Sequence, residues 1–204
     1  MPAPYEKSVF INCPYDKEFE PLFHAIILTV AALGFVPRSA RESEGQSETR
    51  IKRIAIGLLQ CKYSIHDLSR FQGEGNENLA RFNMPLELGM ALGVQYLRDQ
   101  QTASSDRHNW CVLVPPNFVH QKFVSDLAGY DLLDHDGEPL TIIKRVAKWL
   151  SLQDFNMNMP SSKAIFDAYP GFCQMLEQAR ARLGDLIWPA IMANVEVVVA
   201  GLPL

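Results

Sequence analysis

Two acids in this sequence sit where an ionised carboxyl needs a reason to be. Glu87 lies in Arg81-Phe-Asn-Met-Pro-Leu-Glu-Leu-Gly-Met-Ala-Leu-Gly93, with Leu86, Leu88, Met90 and Leu92 around it. A carboxylate is costly to bury in such company unless it meets a polar cavity or a partner. Asp67 falls in Tyr63-Ser-Ile-His-Asp-Leu-Ser-Arg70, at the end of an apolar run, and strands are otherwise poor in acids. An acid held in this way can steady a developing cation or attack it as a nucleophile. We expect Asp67 and Glu87 to face each other across a pocket, with Glu87 as the catalytic group. The competing reading of Glu87 is a structural acid, stabilised by the helix dipole and paired with Arg38, Arg41 or Arg81. For Asp67 the competing reading is a turn-maker or cap.

These residues are positioned by alternating strands and helices. Ser8-Val-Phe-Ile-Asn-Cys13 reads as a buried first strand halted by Pro14. Phe19, Leu22, Phe23, Ile26, Ile27, Val30 and Leu33 recur at helical spacing before Gly34. Phe35 to Ser39 is a short second strand, Ile51 to Leu59 a second helix, and Lys62 to Leu68 a third strand. The Gly/Asn/Glu-rich loop at 72–78 leads to a helix capped by Asn83, with Pro85 in its first turn, and its apolar girth predicts burial. Trp110 to Val114 is a fourth strand closed by Pro115-Pro116. Gln121 to Ala128 reads as a short helix, Tyr130 to Leu133 as an edge strand and Leu140 to Leu150 as a further helix. This alternation predicts an α/β fold with a doubly wound parallel sheet, helices on both of its faces, over residues 1–152. Residues 153–204 predict a C-terminal helical extension that packs on the sheet domain or on a second copy of the chain.

In such a sheet, ligands bind outside the carboxyl ends of the strands. Asn12, Tyr15 and Asp16 crown the first strand, Asp67, Ser69 and Arg70 the third, and Asn83 opens the following helix. These seven are the candidate ligand-binding residues, with Asn12 suited to hydroxyl groups and Tyr15 to stacking on a flat ring. A plain turn is the alternative for the first group. Ser39, Arg41, Ser69, Arg70 and Arg81 are candidate phosphate contacts, although each also reads as a solvated side chain. His66 reads as structural: its neighbour Asp67 points to the other face of the strand, and no second histidine is close in sequence.

The 204 residues carry a formal net charge of −4, which leaves no basic surplus for general nucleic-acid binding. Cys13, Cys61, Cys111 and Cys173 lack zinc-site spacing and read as reduced thiols. The opening residues do not resemble a secretory leader, and no apolar run approaches the roughly 18 residues of a membrane span. We therefore expect a cytoplasmic protein. Glycine-rich phosphate loops and the GxSxG hydrolase elbow are absent from the sequence, which argues against ordinary Rossmann dehydrogenases, P-loop NTPases and α/β-hydrolases.

Ser8-Val-Phe-Ile-Asn-Cys-Pro-Tyr-Asp16 resembles the opening box of TIR domains. Asn83-Met-Pro-Leu-Glu-Leu-Gly-Met-Ala91 resembles the Glu-Leu segment of TIR NAD-cleaving enzymes and, more closely, the Glu-Leu-Gly-x-Ala segment of nucleoside 2-deoxyribosyltransferases. The resemblance covers about residues 8–150. It implies a flavodoxin-like sheet, cleavage of the bond between a ribose and a base, and Glu87 as the catalytic residue. In the transferases an aspartate at the end of the preceding strand holds the nucleoside, and Asp67 matches it. Met84-Pro85 stands where TIR enzymes carry tryptophan and cysteine, and Asp67-Leu-Ser-Arg70 where the transferases carry Asp-Gly. The sequence is also similar to bacterial TIR-like or nucleotide-binding proteins linked to antiviral defence.

Cleavage of this kind passes through an oxocarbenium-like sugar, which a carboxylate beneath the anomeric carbon stabilises. Nicotinamide on ribose is already a cationic leaving group and needs no strong general acid. The resemblance thus implies NAD or a related nucleotide or nucleoside as substrate, with no further cofactor and no metal. A homo-oligomer formed through residues 161–204 is the expected assembly. The alternatives are a nucleotide-sensing or scaffolding module without turnover, and transfer of deoxyribose between bases.

Overall fold

The computed structural model of the chain describes residues 4–45, 47–71, 82–101, 107–154 and 158–203. The loop expected at 72–78 and Arg81 lie outside them.

The fold is α/β, a five-stranded parallel sheet with helices around it. The strands are β1 (Ser8–Asn12), β2 (Val36–Arg38), β3 (Tyr63–Asp67), β4 (Asn109–Val114) and β5 (Leu133–Asp134), in the spatial order β2-β1-β3-β4-β5. This is the flavodoxin-like order, and its reversal point lies between β1 and β3. There Val9 stands opposite Tyr63 and Asn12 opposite His66, while Asp67 stands opposite Leu113 of β4. Every residue of β1 and β3 is buried. In β1 that burial is what its apolar run dictates. β3 carries Ser64, His66 and Asp67 into the same interior, so each of those groups must find a partner inside the protein.

The chain divides into two compact units. The first comprises Met1–Pro14, Arg38–Ala40 and Ser47–Asp136, and the second Tyr15–Pro37, Arg41–Gln46 and Gly137–Leu204. The boundary expected at 152/153 falls inside the second unit, at the end of helix α4 (Pro139–Gln153).

In the first unit, α2 (Arg50–Gln60) buries Ile54, Gly57 and Leu58, which pack with Phe10, Ala40 and Cys61. Gly57 is required at this crossing, since a Cβ built there would run into the Phe10 ring. Helix α3 (Asn83–Gln101) is pinned at two points. Met84 and Leu88 join Leu68, Val112, Val114, Leu127 and Leu132, and Ala91 joins the cluster around Phe10. Positions 84, 87, 88 and 91 form one helical stripe, so Glu87 is carried inward by its neighbours. The expectation that α3 is buried all round is corrected. Leu86, Tyr96 and Leu97 are exposed, because only the inward stripe has packing partners. The helix begins at Asn83 itself, with the Phe82 carbonyl accepting from the Leu86 N–H, and Asn83 is exposed. The stretch expected as a helix at 121–128 forms 3-10 turns at Pro116–Lys122 and Ser125–Leu127.

The second unit holds α1 (Glu20–Ala32), α4, α5 (Ser162–Leu183) and α6 (Trp188–Ala200). Pro21, Pro139 and Pro189 sit in first turns, where a missing N–H costs nothing. Ser161 caps α5 by accepting the Ala164 N–H at 3.1 Å, and Pro170 lies within the helix, which the sequence suggested as two separate stretches. The C-terminal helices pack on α1: Tyr169 donates to the Pro21 carbonyl at 2.8 Å, Arg180 to Glu20 at 2.6 Å, and Trp188 lies by Phe23. Among the described residues, no helix is long and apolar enough to cross a membrane.

Candidate active site

The reversal point of the sheet carries a chain of buried polar groups. His108, just before β4, has Nδ1 at 2.9 Å from the Cys61 carbonyl and Nε2 at 2.9 Å from Ser64 Oγ. Ser64 Oγ is also 2.9 Å from His66 Nε2, and His66 Nδ1 is 3.2 Å from the amide nitrogen of Asn12. Ser64 and His66 share a face of β3 by strand alternation, and register places His66 beside Asn12 at the end of β1. Burial holds both imidazoles neutral, lowering His66 from 6.5 to about 3, with the neighbouring His108 ring adding to the shift, and His108 to about 4, where the bond to the Cys61 carbonyl opposes the shift and the Arg98 guanidinium adds to it.

Glu87 lies beside this chain's last member. It is 3 % exposed, and burial raises its carboxyl above the ordinary range; Arg50 and then the Asn12 amide oppose that shift. Arg50, the first residue of α2, holds Nη2 3.5 Å from Glu87 Oε1, and its own side chain is 42 % exposed. Among the described residues, Glu87 Oε2 and Asn12 Oδ1 have no hydrogen-bond partner. Two buried acceptors on neighbouring side chains thus lack donors, which is rare and costly in a folded protein. The competing reading offered Glu87 a pairing with Arg38, Arg41 or Arg81; Arg81 lies outside the described residues, and the arginine found beside Glu87 is Arg50.

Asp67 is engaged elsewhere. Its Oδ1 accepts from the Ser69 N–H at 2.9 Å and the Ser69 hydroxyl at 2.5 Å, and its Oδ2 lies 3.0 Å from His135 Nε2. It shares none of these partners with Glu87, and alternation along β3 puts it on the face opposite His66. Asp67 and Ser69 therefore form a self-contained turn with His135, and the expected meeting of the two carboxylates is not seen. The second histidine thought missing near His66 is His108, brought by register from the next strand.

Tyr15 and Asp16 belong to the second unit. Tyr15 meets the Phe23 ring edge-on at a centroid distance of 5.5 Å, and Asp16 accepts the Phe19 N–H at 2.8 Å, leading the chain into α1. Arg41 donates to the Leu186 carbonyl at 2.6 Å, and Ser39 is buried in the first unit. Arg70 lines an apolar cavity of about 90 Å³ with Leu68, Phe71, Phe82, Met84, Pro85 and Phe123, at the start of α3. All four cysteines are free, three of them buried. Among the described residues, no three acids, histidines or cysteines are grouped as a metal would need.

No protein family model matches the chain, and no curated protein matches it significantly.

The sequence singled out Asn12 and Glu87, which the fold brings together. Arg50, Ser64, His108 and His135 escaped it. The one local signal was β3 itself, a buried strand with three polar side chains that could not be left unpaired.

Proposed function

We propose that the chain cleaves the N-glycosidic bond of NAD or a related nucleotide, with Glu87 as the group that meets the anomeric carbon. One observation carries this reading: a buried carboxyl, one oxygen of which has no partner among the described residues, lies beside Asn12 where the strand order reverses. That is where open α/β sheets bind ligands. A desolvated carboxylate is poorly stabilised in the resting site and gains most when a cation forms beside it. The oxocarbenium-like sugar is such a cation, and Glu87 either steadies it or bonds to it before water completes the cleavage. In this reading Asn12 Oδ1 accepts a sugar hydroxyl. In the same reading Arg50 binds a phosphate once it leaves Glu87, since a guanidinium forks onto phosphate oxygens.

The resemblance to TIR and deoxyribosyltransferase segments points the same way and supplies the choice of NAD. Cytoplasmic location, assembly through residues 161–204 and an effector role in antiviral defence rest on that resemblance and on composition.

The test is incubation of the protein with NAD, NADP and nucleosides beside Glu87→Gln, with products separated by chromatography. Turnover by the parent and its loss in the variant are expected, by roughly two to three orders of magnitude for a group acting on transition-state charge. Equal turnover in the two proteins ends this reading.

A second reading, nucleotide binding without turnover, is favoured by the contact that Arg50 makes with the enclosed Glu87. Tight binding with no product over hours selects it. Deoxyribose transfer differs from hydrolysis in the acceptor, and addition of a free base to the incubation separates the two.

A further inference from the structure

The direction of every proton in the buried chain follows from its far end. The Cys61 carbonyl can only accept, so His108 Nδ1 must carry a hydrogen. A neutral imidazole has only one, so His108 Nε2 is a lone pair and takes the Ser64 hydroxyl proton. That hydroxyl has then spent its hydrogen and accepts from His66 Nε2–H. His66 Nδ1 is left as a lone pair, and only the nitrogen of the Asn12 amide can donate to it. With the nitrogen so fixed, the amide oxygen is the atom left without a partner among the described residues.

We propose that His108, Ser64 and His66 are positioning residues that hold the Asn12 amide in one of its two orientations, so that the site beside Glu87 offers an oxygen and selects a ligand with a hydroxyl donor. An amide free to turn over would offer nitrogen or oxygen almost equally, because the two ends differ little in shape. The chain removes that freedom from inside the sheet, and the Glu87 carboxyl, which the same amide nitrogen meets, favours the same orientation. It deepens the glycosidic reading by assigning the sugar's hydroxyl, rather than an acceptor group, to Asn12. The proton pattern itself does not depend on that reading.

The test has two independent arms. Nitrogen NMR of the labelled full chain near neutral pH reads the tautomers. His66 is expected as the Nε2–H form and His108 as the Nδ1–H form, both neutral; His66 as the Nδ1–H form or as a cation overturns the proposal. In Ser64→Ala the His66 Nε2–H loses its acceptor, and its spectrum is expected to move to a mixture of tautomers. The second arm follows NAD. If the parent cleaves it, Ser64→Ala is expected to lower kcat/KM about tenfold, the scale of one misdirected hydrogen bond, and Ser64→Thr, which keeps the hydroxyl, to restore it. Unchanged kcat/KM in Ser64→Ala overturns the selection of the ligand. Should the parent neither bind nor cleave NAD, the glycosidic reading fails alone, and the wild-type tautomers still decide the chain's direction. They also decide it if the alanine variant does not fold.

Discussion

The buried carboxyls of Glu87 and Asp67 differ in what folding does to them. Glu87 is raised above the usual carboxylate range chiefly by burial, so the folded state holds its proton more tightly than the unfolded chain does. Folding therefore favours low pH at this group, and its contribution is lost as pH rises through the folded value. Glu87→Gln, a neutral isostere, is expected to melt a few degrees higher than the parent at neutral pH. That gap should close as pH falls toward 4.5, and thermal melts across the range read it. A variant that gains stability while losing turnover marks a residue strained for function. Asp67, by contrast, has partners on both oxygens. Asp67→Ala strands His135 and the Ser69 N–H, at a cost of about 2 kcal/mol or more, read by urea denaturation. Sequence alone flagged both acids because their apolar company is visible in it. It could not separate them, because Arg50 reaches Glu87 from α2 and His135 reaches Asp67 from beyond β5.

At the scale of elements, helical periodicity located α1, α2, α3 and α4, and apolar runs located β1 and β4, since a central parallel strand is mostly apolar on both faces; β3 departs from that rule with Ser64, His66 and Asp67. The exposed side of α3 was not legible, because which arc of an apolar helix meets a partner depends on crossing geometry. Pro170 suggested a break, yet α5 runs through it, held by burial of Tyr169 and Phe172 on either side. The α2–β1 crossing gives a sharp test. Gly57→Ala gains helix propensity of up to about 1 kcal/mol, but the new methyl meets the Phe10 ring, which is fully enclosed. Overpacking of this kind costs about 1–3 kcal/mol, so a net loss is expected in urea denaturation.

Across the whole molecule, buried histidines set the response to acid. Burial lowers His24 to about 4, His66 to about 3 and His108 to about 4, from 6.5 in the unfolded chain. The unfolded state binds more protons in that interval, so the stability they contribute is fully present above pH 6.5 and is lost as pH falls through about 4. Each adds a slope of about 1.4 kcal/mol per pH unit, and His108→Gln is expected to flatten the urea midpoint against pH. The fold class was legible because alternation of element types is a global pattern. The division into units was not, because it depends on contacts between distant segments.

That division has a consequence for biosynthesis. The polypeptide passes from one unit to the other after residues 14, 37, 40, 46 and 136. A ribosome delivers the last residue of the first unit well before α5 and α6, so its strands can pair while the helical partners of α1 are still inside the exit tunnel. Until they emerge, Glu20, the Pro21 carbonyl and Phe23 of α1 lack the Arg180, Tyr169 and Trp188 side chains that meet them in the finished fold, and a chaperone has its longest opportunity there.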